Sequence, residues 1–275
     1  MELFVTDLDG TLLNSNKEVS KKSKEILNNL IDKGVNFTVA TARTPATVVD
    51  ILKDVNLKLP VALMNGVLIY DVKSNEYIDV KEIDKSVVEK VLAVAEKFKK
   101  AVLMYGIKDN HLWVYYKELD NVWEYNFYKE RADKQLKTFV KIDDYKEVLD
   151  ESKIINFVLF DTYENIKKIN DELVEIEGLT VNYYEDVYEK DCYFLEAYSC
   201  EASKANGIKY LSKYIEHDEL VVFGDNLNDI PMFEVADEAY ATANAVKELK
   251  ELSTGVIGSC NEDGVAVYLK ERFED

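Results

Sequence analysis

Leu3-Phe4-Val5-Thr6-Asp7-Leu8-Asp9-Gly10-Thr11-Leu12-Leu13 is the stretch on which the fold turns. Its apolar start, Leu3 to Val5, reads as a buried strand that stops at two carboxylates followed by Gly10 and Thr11. In an extended chain, residues two apart point the same way, so Asp7 and Asp9 can face one pocket. Open α/β sheets bind ligands in the crevice at the carboxyl ends of their strands, which is where such a pair lies. Two carboxylates this close repel unless a cation sits between them or one is protonated. A hard, oxygen-seeking ion such as Mg²⁺ answers that need. The same residues also suit a plain polar strand-to-loop turn, because Asp and Gly are common turn formers.

Three later segments carry related chemistry at element ends. The apolar run Val35 to Ala40 ends in Thr41-Ala42-Arg43. Leu220-Val221-Val222-Phe223 runs into Gly224-Asp225-Asn226-Leu227-Asn228-Asp229, a third strand ending in carboxylates. Ser203-Lys204 opens a helix expected over 204–213 and places a cation at its start. A lone Thr, Lys or acidic turn is more often structural than catalytic. Four such features in this order, each at an element end, point to one site.

Asp7-Leu8-Asp9-Gly10-Thr11, Thr41, Lys204 and Gly224-Asp225-Asn226-Leu227-Asn228-Asp229 resemble the four signature motifs of the haloacid-dehalogenase (HAD) superfamily of phosphatases. The long insert between the second and third motifs resembles the large α/β cap of its Cof-type branch. Where the family often has Gly directly after the Lys, this chain has Ala205-Asn206-Gly207. The resemblance implies a Mg²⁺-dependent hydrolase that works through an aspartyl-phosphate. Asp7 would be the nucleophile and Asp9 the general acid and base. Asp7, Asp225 and the main-chain carbonyl of Asp9 would hold the metal. The Thr41 hydroxyl and the Lys204 ammonium would hold phosphate oxygens, joined by the N–H groups of Leu8 and Ala42 and by Asn228.

Plainer roles stand beside these. Asp225 also suits a helix N-cap, and Lys204 a solvated helix lysine. Asp229 is either a carboxylate behind the metal site or part of the first turn of a helix from Asn228. Arg43 is either a phosphate clamp or the ion-pair partner of an acidic neighbour.

A formal charge of −19 over 275 residues argues against nucleic acid, which demands a basic face, and equally against an anionic membrane surface. An anionic substrate must then be received by local positive groups, which the metal, Lys204 and Arg43 provide. Cys192, Cys200 and Cys260 form an odd set without C-x-x-C spacing, so neither a zinc site nor a disulfide framework is expected. The first strand begins at residue 2, which leaves no room for a signal peptide, and a cytoplasmic protein is expected. His111 and His217 are the only histidines, too few for a His-rich metal site or a His-based triad.

The chain reads as a doubly wound, mainly parallel, Rossmann-like α/β core with an inserted α+β domain. The core is expected over 1–80 and 192–275 and the insert over 81–191. Strands separated by helices, as in 1–64, mean right-handed crossovers and parallel pairing. Within the insert the pattern predicts helices at 85–99, 144–151 and 164–175, with strands at 101–106, 111–116, 154–160 and 179–184. The aromatic crowd of Tyr105, Trp113, Tyr115, Tyr116, Trp123, Tyr125, Phe127 and Tyr128 is expected to form the core of a small domain more than a stacking platform.

The expected activity is hydrolysis of a small phosphorylated metabolite, a sugar phosphate first and a phosphorylated cofactor second. A phosphomutase shares the aspartyl-phosphate and differs in its acceptor. A phospho-accepting receiver or a binding protein would reuse the clustered Asp, Thr and Lys without turnover, but receivers lack the late acidic cluster and the insert.

Overall fold

In the computed structural model, which describes residues 1–186 and 189–274, the opening apolar run is β1 (Glu2–Thr6). Leu3, Phe4 and Val5 have no exposed surface, as expected of a strand buried on both faces of a parallel sheet. The chain crosses through α1 (Lys21–Asp32) to β2 (Asn36–Val39), which pairs parallel with β1. Ser20 caps α1 by accepting the Ser23 N–H at 3.0 Å. Gly34, at φ +101°, turns the chain out of the helix. After α2 (Pro45–Leu52) come β3 (Val61–Leu63), β4 (Leu68–Asp71) and β5 (Glu76–Val80), which form a three-stranded sheet.

The insert contains α3 (Lys85–Lys97), β6 (Leu103–Lys108), β7 (His111–Tyr116), α4 (Val122–Arg131) and β8 (Lys137–Lys141). It continues through β9 (Lys153–Asp161), α5 (Tyr163–Leu173), β10 (Leu179–Glu185) and β11 (Tyr193–Ser199). Its six strands are ordered β10-β11-β9-β6-β7-β8, antiparallel except for β7 with β8. α3 and α5 supply Val88, Val91, Ile166 and Ile169 to a core that Met104, Phe157, Leu159 and Leu195 complete from the sheet. Tyr115 and Trp113 belong to this core, so these two aromatics are packing residues.

The chain then resumes the first pattern with α6 (Lys204–Leu211), β12 (Glu219–Gly224), α7 (Ile230–Phe233), β13 (Glu238–Thr242), α8 (Lys247–Leu252), β14 (Gly255–Ile257) and α9 (Gly264–Glu274). The main sheet has the order β14-β13-β12-β1-β2 with every pairing parallel. Its central strands β1 and β12 thus come from opposite ends of the chain.

Two units result, one made of Met1–Asp79 with the chain from Ser203 onward, the other of Val80–Ala202. The second border differs from the expected 191/192. β11 looked like a return to the βα core, but it pairs with both β9 and β10 and so belongs to the insert. The helix expected over 144–151 is only a 3-10 turn, Tyr145–Val148, started by the Asp144 side chain. The Tyr-rich stretch after residue 116 conceals α4, whose aromatic residues point to several sides and blur the helical period; Asn121 caps it by accepting the Glu124 N–H at 2.9 Å.

Candidate active site

Three neighbouring parallel strands end at one level. Thr6 of β1 lies opposite Phe223 of β12 and Val39 of β2. The Asp7 N–H donates to the Phe223 carbonyl at 2.9 Å, and the Ala40 N–H to the Thr6 carbonyl at 2.9 Å. Asp7, Thr41 and Asp225 therefore leave their strands side by side, in the crevice that parallel sheets offer to ligands. Gly10, at φ +74°, passes so close to Asp225 that a Cβ there would run into its carboxylate.

Lys204 is the first residue of α6, and the Ser203 hydroxyl caps this helix by accepting the Asn206 N–H at 3.0 Å. The glycine absent from position 205 stands at 207. A Cβ there would lie 2.8 Å from that of Ala62, so Gly207 lets α6 pack directly onto β3. The Lys204 side chain is sealed from solvent and donates to Asp7 Oδ1 at 2.6 Å and Asp229 Oδ1 at 2.5 Å. The solvated-helix alternative for this lysine is thereby removed.

Asp229 lies in the turn that opens the helix and also faces Lys204. It ends the 3-10 turn Leu227–Asp229 that leads into α7, and its Oδ2 accepts the N–H groups of Asp225 (2.9 Å) and Asn226 (3.0 Å). Asn226-x-x-Asp229 has capping-box spacing, the one local signal that foretells this arrangement. Both Asp229 oxygens are thus engaged, one on Lys204 and one on backbone. Thr11, to which the sequence pattern lent no particular role, donates to Asp225 Oδ1 at 2.8 Å and fixes its carboxylate.

Asp7, Asp225 and Asp229 each place a carboxylate oxygen within 4.8 Å of the others. Asp9 is not part of this triad: its side chain is about half exposed and takes a two-pronged ion pair from Arg43. Arg43 is therefore seen as an ion-pair partner. Thr41 is buried, and its hydroxyl accepts the Arg43 N–H at 3.3 Å. The Leu8 and Ala42 N–H groups have no intramolecular acceptor among the described residues. Asn228 is half-buried in the turn after Asp225.

The electrostatics follow from burial. Desolvation pushes the Asp7 carboxyl up to about 7 against the pull of Lys204. Desolvation likewise raises Asp225 to about 6, opposed by the Thr11 hydrogen bond. Burial would lower Lys204, but the Asp7 and Asp229 carboxylates hold its ammonium above the ordinary lysine value. With all four groups charged, three carboxylates against one ammonium leave two negative charges in a buried cluster. Asp7 and Asp225 each retain an oxygen without a hydrogen-bond partner among the described residues. An all-oxygen donor set with a double negative charge fits a hard divalent cation. Among the described residues no helix is long and apolar enough to cross a membrane.

Residues 4–269 match the family described as haloacid dehalogenase-like hydrolase. The chain is 28% identical over 294 residues to the 5-amino-6-(5-phospho-D-ribitylamino)uracil phosphatase YwtE of Bacillus subtilis, covering 98% of each chain. Among solved structures it resembles TM0651 from Thermotoga maritima, with a TM-score of 0.79, 24% identity and coverage of 98% and 97% of the two chains. It also resembles the HAD subclass IIB sugar phosphatase BT4131, with a TM-score of 0.75, 22% identity and 99% of each chain covered. The chain thus belongs to the haloacid dehalogenase-like hydrolases and is a phosphatase of the superfamily's Cof-type branch.

Proposed function

We propose that the protein is a Mg²⁺-dependent phosphatase that hydrolyses a small phosphorylated metabolite in the cytoplasm through an aspartyl-phosphate on Asp7. The observation that carries this reading is the buried Asp7 carboxylate, anchored by Lys204 at 2.6 Å beside Asp225 and Asp229. One oxygen of Asp7 is oriented by the ammonium, which leaves the other free to attack phosphorus. The ester oxygen departs with a proton from Asp9. A water molecule then attacks the acyl phosphate, giving its proton to Asp9 and releasing phosphate and the free Asp7 carboxylate.

Lys204 neutralises charge on Asp7 and on the transferring phosphoryl group, while the Thr41 hydroxyl and the N–H groups of Leu8 and Ala42 take up equatorial oxygens. Asn228, in the turn after Asp225, adds a phosphate contact. Asp7, Asp225 and the Asp9 carbonyl would hold Mg²⁺, which when bound supplies a positive charge for the phosphate. Asp229 orients this assembly from behind, through Lys204 and the Asp225 N–H.

Sugar and sugar-alcohol phosphates lead as substrates, supported by the ribityl phosphate in the name of one relative and by a sugar phosphatase of the same fold. The three cysteines are free thiols, which suits a reducing compartment. Phosphate release across a panel of phosphorylated metabolites with Mg²⁺ tests the reading. Selective turnover of sugar phosphates is expected, and a chain inert toward every ester overturns it.

A further inference from the structure

β10 lies at the edge of the insert sheet, and among the described residues its one strand neighbour is β11. The two run antiparallel, from Leu179 opposite Ser199 to Glu185 opposite Tyr193. Just beyond the two ends, the Cys200 N–H donates to the Gly178 carbonyl at 3.0 Å and the Asp186 N–H to the Cys192 carbonyl at 2.8 Å. Hydrogen-bonded and non-bonded pairs alternate along an antiparallel ladder. Thr180, Asn182 and Tyr184 therefore turn their main-chain groups to β11, while Leu179, Val181, Tyr183 and Glu185 turn theirs outward. The outward N–H and carbonyl groups of these four residues have no partner among the described residues.

Proteins commonly blunt such an edge with lysine, proline, a bulge or a very short strand. The other edge of the same sheet is blunted: β8 has five residues and both begins and ends in lysine. β10 has none of these devices. Its seven residues, Leu-Thr-Val-Asn-Tyr-Tyr-Glu, pair with β11 without a register shift and carry one charged side chain, Glu185 at the end. In a chain of net charge −19, with 32% of its residues charged, a stretch so poor in charge is where two copies can approach with least repulsion.

We infer that the β10 edge is a homodimer surface, on which two copies join their insert sheets antiparallel about a two-fold axis at Asn182. The strand itself sets this register. With Asn182 opposite Asn182 of the second copy, Val181 pairs with Tyr183 and Leu179 with Glu185, and every outward group on both strands is met. A centre moved to Val181 or Tyr183 leaves the groups of Glu185 or Leu179 beyond the end of the opposing strand. A centre moved to Glu185 sets two carboxylates against each other. The side chains agree. Leu179, Val181 and Tyr183 lean toward the apolar core under the helices, so Val181 of one copy meets the Tyr183 ring of the other. Tyr163, 45% exposed, lies beside Tyr183 with ring centroids 6.3 Å apart and widens that apolar contact. On the other face Thr180 meets Tyr184, and the two Asn182 amides meet each other.

Sedimentation of the full chain over a range of concentrations tests the inference. The parent should shift reversibly from one chain toward two as concentration rises, since the contact of one strand pair is small. Val181→Pro removes an outward N–H and spares the ladder to β11, the position at which an edge strand tolerates proline. It should stay a single chain throughout, and its thermal midpoint in dilute solution reports separately that it folds. Asn182→Cys supplies an independent reading in a chain whose exposed Cys200 is replaced by Ser, Cys192 and Cys260 being buried. It should form an intermolecular disulfide under oxidised glutathione, because non-bonded antiparallel pairs hold their Cα atoms about 4.5 Å apart, within disulfide reach. Val181→Cys in the same background should not, because it faces Tyr183 of the second copy. A parent that remains one chain at every concentration overturns the inference. A folded Val181→Pro that still dimerises, or crosslinking through Val181→Cys in place of Asn182→Cys, overturns it as well.

Discussion

Arg43 grips Asp9 with a two-pronged fork, Nε on Oδ2 and Nη2 on Oδ1, both at 2.6 Å. The carboxyl proposed to protonate the leaving oxygen is thus an acceptor on both oxygens, and it must exchange the guanidinium for the substrate before it acts. Asp9→Asn should lower kcat by about 10²–10⁴, the usual value of a positioned acid or base. Arg43→Ala frees Asp9 but removes no reacting group, so the loss should stay within about tenfold; surface ion pairs also contribute only about 0–1 kcal/mol to stability. If steady-state kinetics showed equal losses for the two variants, Arg43 would have to touch the phosphate itself.

Asp7→Asn should abolish phosphate release while leaving the fold intact. The amide nearly matches the carboxylate in shape but is a poor nucleophile. It also removes a buried charge held up at about 7 by desolvation, so the thermal midpoint should not fall. Activity within tenfold of the parent would take Asp7 out of the nucleophile role.

Lys204 joins two carboxylates inside the core, and its loss should be felt in two independent measurements. Lys204→Met leaves Asp7 and Asp229 buried without their shared counter-charge, a break that typically costs about 3–5 kcal/mol. Thermal unfolding should show a large drop in midpoint, and phosphate release should fall below about 1% of the parent. In the double variant with Asp229→Asn one unpaired charge is gone, so stability should partly return while turnover does not. Recovery of turnover would show that Lys204 does nothing in catalysis beyond balancing Asp229.

Chelation by EDTA should stop phosphate release, and Mg²⁺ should restore it. Ca²⁺ should inhibit, because its oxygen ligands sit at about 2.3–2.6 Å instead of about 2.0–2.1 Å and it takes more of them. Since the cluster of Asp7, Asp225, Asp229 and Lys204 carries an excess of negative charge, Mg²⁺ should also raise the thermal midpoint of the parent, and raise it less in Asp225→Asn. Full activity in EDTA would contradict the metal assignment.

Glu124, buried in the insert, provides a test of stability against pH. Desolvation raises its carboxyl from 4.5 to about 7, although it accepts the Asp120 N–H at 2.5 Å. Below about pH 4.5 both folded and unfolded chains hold the proton and there is no penalty. Between about 4.5 and 7 only the folded chain holds it, so stability falls as pH rises, and above about 7 the full cost of a buried charge is present. Glu124→Gln keeps an acceptor for Asp120 and should raise the thermal midpoint at pH 8 but not at pH 4. A midpoint difference independent of pH would show that Glu124 is hydrated as it would be in the unfolded chain.

The elements that dominate the core were legible because local signals and tertiary need agree there. Leu3 to Val5 is apolar on both faces because the strand is central, and Ser20 caps the helix that follows. β11 misled because its apolar and polar residues suit either sheet, and only pairing with β9 and β10 decides between them. Motif order pointed to Asp7, Asp225 and Lys204, but not to how the groups divide their bonds. That Asp229 shares Lys204 with Asp7, that Thr11 pins Asp225, and that Arg43 turns to Asp9 are facts of three-dimensional proximity. No spacing along a chain encodes them.

β1 finds one neighbour in β2 soon after it is made, but the other, β12, brings Leu220 opposite Leu3 across nearly the whole chain. On the ribosome, the strands of the insert are complete once Ser199 has emerged, so that unit can fold while β1 still presents an unpaired edge. Pairing at so large a separation is slow, since a long loop must close before any contact rewards it. Asp7 and Asp225 can therefore meet only after β12 has been made and has paired with β1. A nascent or truncated chain that stops before β12 carries Asp7, yet the cluster around it does not exist until Asp225 and Asp229 have been added.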